Sequence, residues 1–237
     1  MVYRFYAPVP LDEPRVELTG AEAQHLLRVL RLKVGDDVAL FDGGGHESQA
    51  EIAAVTRNSA ELRLVSDWTS ESAALPQVIL ATAVPKGDRF RWLVEKATEL
   101  GVRRLVPLIT ERSVVDPGAG KLEKMQQTVI AACKQCGRNT LMEIAQPTDW
   151  EAFASSELAE RTFFVAHPDG TASTQEPSVD ENGQCVVMAV GPEGGWTEAE
   201  IDLARQSGAR LIGLGDHMLR IETAAVAFVA WFVLSHR

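Results

Sequence analysis

The stretch CVVMAVGPEGGWTEAEI, residues 185–201, decides the fold. Its first six residues, Cys185 to Val190, are apolar without interruption, as in a strand buried on both faces. Gly191-Pro192-Glu193-Gly194-Gly195 follows, a tight turn with three glycines in five residues. Thr197 then has the position and chemistry of a helix N-cap, with Glu200 three residues on to complete a capping box. Trp196 and Ile201 flank the cap as a hydrophobic staple. Buried strand, glycine turn and capped helix together make a βα unit of an α/β domain.

Outward from that unit the same rhythm repeats. Val78–Ala83 reads as a strand. Asp88 caps a helix with Phe90, Leu93, Val94, Ala97 and Leu100 on one face, and Gly101 stops it. Leu105–Ile109 is a strand, and Leu122 to Cys136 is helical with Leu122, Met125, Val129, Ala132, Cys133 and Cys136 on one side. Thr162–Ala166 is a second buried strand. Gly208 ends the helix begun at Thr197, Leu211–Leu214 is a short strand, and a final helix runs from Glu222 to the C-terminus. Alternating strands and helices predict a mostly parallel sheet covered on both faces. His167 to Gly183, rich in Pro, Gly and Asp, reads as a mobile surface loop.

The N-terminal part has a different period. Val2–Tyr6, Val16–Leu18, Val38–Phe41, Ala50–Val55 and Glu61–Val65 are short strands, with a hairpin turn at Asp42-Gly43-Gly44-Gly45. One helix interrupts them. Thr19 and Glu22 have capping-box spacing, and Ala23, Leu26, Leu27 and Leu30 form the apolar face. His25, Arg28 and Arg31 lie opposite. These features predict a small β-barrel with a helix across it. The polar, Pro-terminated segment 68–76 reads as a linker, so residues 1–70 and 71–237 are expected to be two domains.

Composition limits the function. The chain has 237 residues, 46% hydrophobic and 24% charged, with a formal charge of −10. That net charge argues against nucleic acid by itself, but only the local field at a contact surface counts. His25, Arg28, Arg31 and Lys33 cluster against a single acid, Glu22. Three cysteines do not make a disulfide framework, so a reducing compartment is expected. Cys133-x-x-Cys136 lacks the second pair that a zinc site needs, and no metal is expected. The longest apolar run, Ala224 to Leu234, is short of the roughly 20 residues that span a bilayer.

In open α/β sheets ligands sit outside the carboxyl ends of the strands. The turns at 84–88, 110–113, 191–195 and 213–216 are therefore the places for chemistry. Gly191 to Gly195 has neither the dinucleotide-binding spacing nor the Lys-Ser/Thr of a phosphate loop. Its glycines serve either a tight turn or a close approach to a ligand. Arg220 and Glu222 are charges beside an apolar helix. Burying them unpaired is expensive, so either mutual ion pairing or a ligand contact must account for them.

Six ordered blocks, HLLRVLRLKVGDDVALFDG (25–43), KGDRFRWLVEKATELGV (86–102), PLITERSVV (107–115), QCGR (135–138), GPEGGWTEAEI (191–201) and LGDHMLRIETAA (214–225), resemble one known family. It is the small-subunit ribosomal RNA uridine-N3 methyltransferases of the SPOUT, or α/β-knot, superfamily. The resemblance implies a PUA-like RNA-binding domain before a knotted α/β methyltransferase domain. It also implies a cytoplasmic homodimer with S-adenosylmethionine (SAM) as cofactor and 16S rRNA of the small subunit as substrate. The cofactor would lie against Gly191, Pro192, Glu193, Gly194, Gly195, Leu214, Gly215, Met218 and Leu219. Arg220, Glu222 and Arg112 are the implied catalytic residues, with Glu222 or Glu193 to accept a proton. His25, Arg28, Arg31, Lys33 and Arg138 would contact RNA.

Three positions in two segments depart from the family pattern. His217-Met218-Leu219-Arg220 stands where Arg-Ile-Leu-Arg is expected, and Lys134 where Glu is expected. The alternatives are a related knotted methyltransferase acting on another base or on a ribose, and an RNA-binding assembly protein with a vestigial cofactor site.

Overall fold

The structure, a computed structural model, describes residues 2–66, 69–70, 76–156, 161–172 and 185–236. The chain divides into two compact units. One is residues 1–72 with 130–141; the other is 73–129 with 142–237.

The first unit contains β1 (Tyr3–Tyr6), β2 (Arg15–Leu18), α1 (Gly20–Gln24), β3 (Asp37–Phe41), β4 (His46–Val55), β5 (Ala60–Leu64) and β6 (Thr69–Ser70). They form a mixed sheet in the order β1-β3-β4-β5-β2, with β6 beside β4 and only β1 and β3 parallel. Among the described residues no ladder joins β2 to β1. Phe5, Leu18, Leu40, Ile52, Leu62 and Leu26 fill its concave side. The linker expected at 68–76 falls largely outside the described residues, but Thr69 and Ser70 pair with Glu47 and His46 of β4.

Asp42 builds the turn between β3 and β4. One carboxylate oxygen accepts from the amides of Gly44 (2.7 Å) and His46 (3.1 Å), and the other lies 2.6 Å from His46 Nδ1. Burial pushes this carboxyl up, but the hydrogen bonds from His46 and Gly44 outweigh it and hold the group below its usual value.

The capping box expected at α1 is not formed. Thr19 is the N-cap without a side-chain hydrogen bond. Glu22 instead accepts from the Tyr6 amide (3.1 Å) and from Lys134 Nζ (3.0 and 2.9 Å). A charge-assisted pair with an ammonium outbids a local amide contact. The departure at Lys134 therefore has a structural partner in this chain. After α1 the helix widens to a π-helical turn, His25–Val29, and Arg31 follows with φ +56°. Both features are uncommon in a non-glycine segment.

The second unit contains β7 (Gln77–Ala83), α2 (Arg89–Glu99), β8 (Arg104–Ile109) and α3 (Ala119–Cys136), whose last turns belong to the first unit. It continues with β9 (Glu143–Ile144), β10 (Thr148–Asp149), α4 (Trp150–Ser156), β11 (Thr162–Ala172), β12 (Cys185–Val190), α5 (Glu198–Gln206), β13 (Arg210–Gly213) and α6 (Ile221–Ser235). The sheet order is β10-β8-β7-β12-β11-β13, with β9 beside β8, and every ladder is parallel. Helices α4 and α5 cover one face, where Trp150, Phe153 and Ile201 meet Val106, Phe163, Val187 and Ala189. Helices α2 and α6 cover the other, with Phe164 against Trp231 and Phe232. This is the predicted arrangement.

Three local expectations change. Asp88 is the N-cap of α2 but makes no side-chain cap bond, because its backbone is helical rather than extended. Cys136 is exposed rather than on the buried side of α3. The loop expected from His167 begins instead as strand: β11 runs on to Ala172, with a register shift between Ala166 and Thr171 that lets both flank Ile212. Gly170 permits this, since a Cβ there would lie 2.5 Å from the backbone of Ile212. The remainder of that predicted loop, 173–183, lies outside the described residues. The cap of α5 is as expected, with both bonds of the Thr197/Glu200 box present.

Candidate functional site

Three segments, following β12, following β13 and in the middle of β11, enclose an open cavity of about 380 Å³. The glycine turn supplies Gly191, Pro192, Glu193 and Gly195. The turn after β13 supplies Leu214 to Leu219, and Ala166 to Pro168 close the third side. Ile221 and Ala224 of α6 complete the wall.

The three glycines of 191–195 serve different ends. A Cβ on Gly191 would meet the Trp196 ring at 2.8 Å, so this glycine makes room for a packed indole. Trp196 donates to the Ala166 carbonyl (3.2 Å) and packs 4.5 Å from the Trp150 ring, which ties the glycine turn to the third wall. Gly194 lies against Arg112, whose guanidinium donates to the Gly194 carbonyl (2.9 Å) and the Trp196 carbonyl (3.5 Å). Gly195 has φ +73°, the left-handed conformation that the turn requires.

A profile of the RNA methyltransferase domain matches residues 71–233, and one of the RNA methyltransferase PUA domain matches 18–65. The ribosomal RNA small subunit methyltransferase E of Synechocystis is 35% identical over 97% of this chain and 77% of its own length. That of Bacillus subtilis is 32% identical over 90% of this chain and 87% of its own. The chain belongs to the ribosomal RNA small subunit methyltransferase E family. The crystal structure of the Neisseria gonorrhoeae family member, bound to S-adenosyl methionine, superposes with a TM-score of 0.86 at 31% identity, covering 97% of this chain and 96% of that one. The fold class implied by the resemblance, an α/β-knot methyltransferase domain with a PUA domain, is the fold of this family.

Of the cofactor residues expected for a methyltransferase E, Gly191, Pro192, Glu193, Gly195, Leu214, Gly215, Met218 and Leu219 all line the cavity. Gly194 does not; it faces Arg112. The three expected catalytic residues stand apart from one another in character. Arg220 is the N-cap of α6, between the cavity-lining Leu219 and Ile221; it is exposed, and its guanidinium makes no hydrogen bond or ion pair among the described residues. Arg112 is committed to the two main-chain carbonyls. Glu222 is 7% exposed, and its Oε2, 3.6 Å from Arg89 Nη1, has no hydrogen-bond partner.

Of the expected RNA residues, Arg28, Arg31 and Lys33 are exposed beside the equally exposed Val29 and Val34. His25 instead lies edge-on to the Phe5 ring at 6.1 Å. Arg138 is 9% exposed and presents little surface to any polymer.

Sequence reading missed three contributors. His167, within the presumed surface loop, and Asp216 line the cavity together with His217. The available signal for His167 was its place just beyond a buried strand. Arg89, the third contributor, bridges the site and was hidden inside the KGDRF block. Among the described residues no group of three His, Cys, Asp or Glu side chains is arranged to hold a metal, and no helix is long and apolar enough to cross a membrane.

Proposed function

We propose that this chain transfers the methyl group of SAM to N3 of one specific uridine of 16S rRNA in the small ribosomal subunit. The observation that carries this is the convergence of the glycine turn, the 214–219 turn and residues 166–168 of β11 on one nucleoside-sized cavity, in a member of the methyltransferase E family. About 380 Å³ lies in the range of small-ligand sites. Backbone groups, Leu214, Met218 and Ile221 suit an adenosyl group, and Glu193 and Asp216 carry the charge opposite to a sulfonium.

When bound, SAM supplies an electrophilic methyl for in-line displacement, with the thioether as leaving group. The protein's part is to orient uracil and to handle its N3 proton. Uracil N3 is a weakly acidic imide nitrogen and a poor nucleophile until that proton is leaving. Arg220 stands between the cavity-lining Leu219 and Ile221 with no hydrogen bond or ion pair among the described residues, so its guanidinium stabilises the negative charge that develops on the carbonyl oxygens. Arg112 braces the glycine turn through Gly194 and Trp196 rather than touching the base. Glu222 and Glu193 both face Arg89, at 3.6 and 3.2 Å, which leaves Asp216, His167 and His217 as the other cavity-lining groups able to take the proton. A second copy of the chain packs beside the site in this reading, because Met218 is 80% exposed and Leu234 of the apolar α6 is 65% exposed. An rRNA substrate in turn places the protein in the cytoplasm.

Purified protein, SAM and small subunits lacking the modification should yield 3-methyluridine by nucleoside mass spectrometry. A folded protein that binds SAM yet forms a different methylated nucleoside, or none, overturns the assignment. RNA contact is predicted through Arg28, Arg31 and Lys33. Changing Arg28 and Arg31 together to Glu should weaken subunit binding at least tenfold and reduce its salt dependence, since each lost phosphate contact lowers the slope by about one. SAM affinity measured by calorimetry should not change.

A further inference from the structure

Arg89 opens α2 and does not line the cavity, yet it meets both segments that do. Its Nη2 donates to Glu193 Oε1 at 3.2 Å, on the glycine turn. Its Nη1 lies 3.6 Å from Glu222 Oε2, in the first turn of α6. Its Nε donates to the Lys86 carbonyl at 3.2 Å, which fixes the guanidinium to its own turn. The three groups are far apart in sequence and converge only in the folded sheet.

Glu222 sharpens the point. Its Oε2 is buried without a hydrogen bond, and Arg89 is the cation beside it. A buried carboxylate oxygen without a hydrogen bond is costly to the fold, and a guanidinium beside it offsets that cost. One planar fork facing two carboxylates from two directions sets the distance between them, which a flexible point charge does not do. Glu193 is itself a cavity wall, and the neighbours of Glu222, Ile221 and Ala224, are as well.

We infer that Arg89 is a positioning residue for the methyl-transfer site: its guanidinium holds the glycine turn and the start of α6 at the separation the cofactor requires. The inference rests on the SAM-dependent reading above, and it assigns Arg89 no contact with cofactor or base.

The test uses the full-length protein with three variants, Arg89→Gln, Arg89→Lys and Glu193→Gln. SAM affinity is read by calorimetry, methyl transfer to small subunits by kcat and KM, and folding by thermal melting. Arg89→Gln is expected to raise the Kd for SAM about tenfold, within the range for residues in direct contact. It should lower kcat, while KM for the subunit stays near the wild-type value because the RNA surface is untouched. Arg89→Lys should recover only part of the affinity, since an ammonium reaches one carboxylate at a time. Glu193→Gln also removes a cavity-wall charge, so it should lose at least as much SAM affinity as Arg89→Gln, and adding Arg89→Gln to it should cost little more.

A folded Arg89→Gln protein with wild-type SAM affinity overturns the inference. So does full recovery by lysine, or additive losses in the double variant. If Arg89→Gln does not fold, the conservative Arg89→Lys carries the test, and wild-type SAM affinity in it is equally fatal. Failure of the wild-type protein to bind SAM is a separate outcome; it overturns the functional reading as well.

Discussion

Arg220→Ala is expected to lower kcat by about a hundred- to a thousandfold while leaving SAM affinity close to wild type, the size of effect seen when one donor to a developing anion is removed. The selectivity follows from where the side chain sits. Arg220 caps α6 with an extended backbone (φ −69°, ψ 155°) and makes no side-chain cap bond. A cation at a helix N-terminus opposes the macrodipole, at a cost of roughly 0.3–1 kcal/mol. The fold therefore gains nothing from this charge, and alanine should leave thermal stability unchanged or slightly raised. The proposed role in the reaction accounts for a cation that the fold itself does not need. Steady-state kinetics with calorimetry decides the matter. Equal losses in turnover and cofactor affinity would mean that Arg220 merely supports the 214–219 turn.

Trp150→Ala should remove about 3–5 kcal/mol of stability, read as a lowered urea midpoint. The indole is 2% exposed and lies 4.5 Å from the Trp196 ring, 6.0 Å from Phe163 and 6.2 Å from Phe153. Its Nε1 donates to the Glu200 carbonyl (3.1 Å). Glu200 in turn closes the α5 cap through the Thr197 amide (2.8 Å) and accepts from the Glu111 amide (2.9 Å). Removing the ring leaves a cavity between α4 and the sheet and takes away the support under Trp196. SAM affinity of the fraction still folded should fall as well, because Trp196 joins two walls of the site. A change within about 1 kcal/mol would show that the core closes around the gap and would contradict this account of the packing.

Much of the architecture is legible before any coordinates. The uninterrupted run Cys185–Val190, the periodic helix faces and the Thr197/Glu200 cap are local signals, and they correspond to β12, α2, α3 and α5. The cofactor turns are legible for the same reason: strands of a parallel sheet present their carboxyl ends to ligands, so the residues after them are known once the strands are. The failures share a cause. Thr19 and Glu22 have the spacing of a capping box, but spacing cannot reveal that Lys134 stands within 3 Å of the carboxylate. Arg112 looks like a free cation until Gly194 and Trp196 fold back to it. His167 looks like loop until Gly170 passes against Ile212 and keeps β11 in the sheet.

By itself the sequence determined the alternation of strands and helices, the two glycine turns and the family to which they point. All of these depend on residues within a few positions of each other. Only the tertiary structure decided how the charges are shared: Arg89 between Glu193 and Glu222, Glu22 with Lys134, and Arg220 with no ion-pair partner among the described residues. A charged side chain takes the strongest partner within reach after folding, and that partner can come from anywhere in the chain.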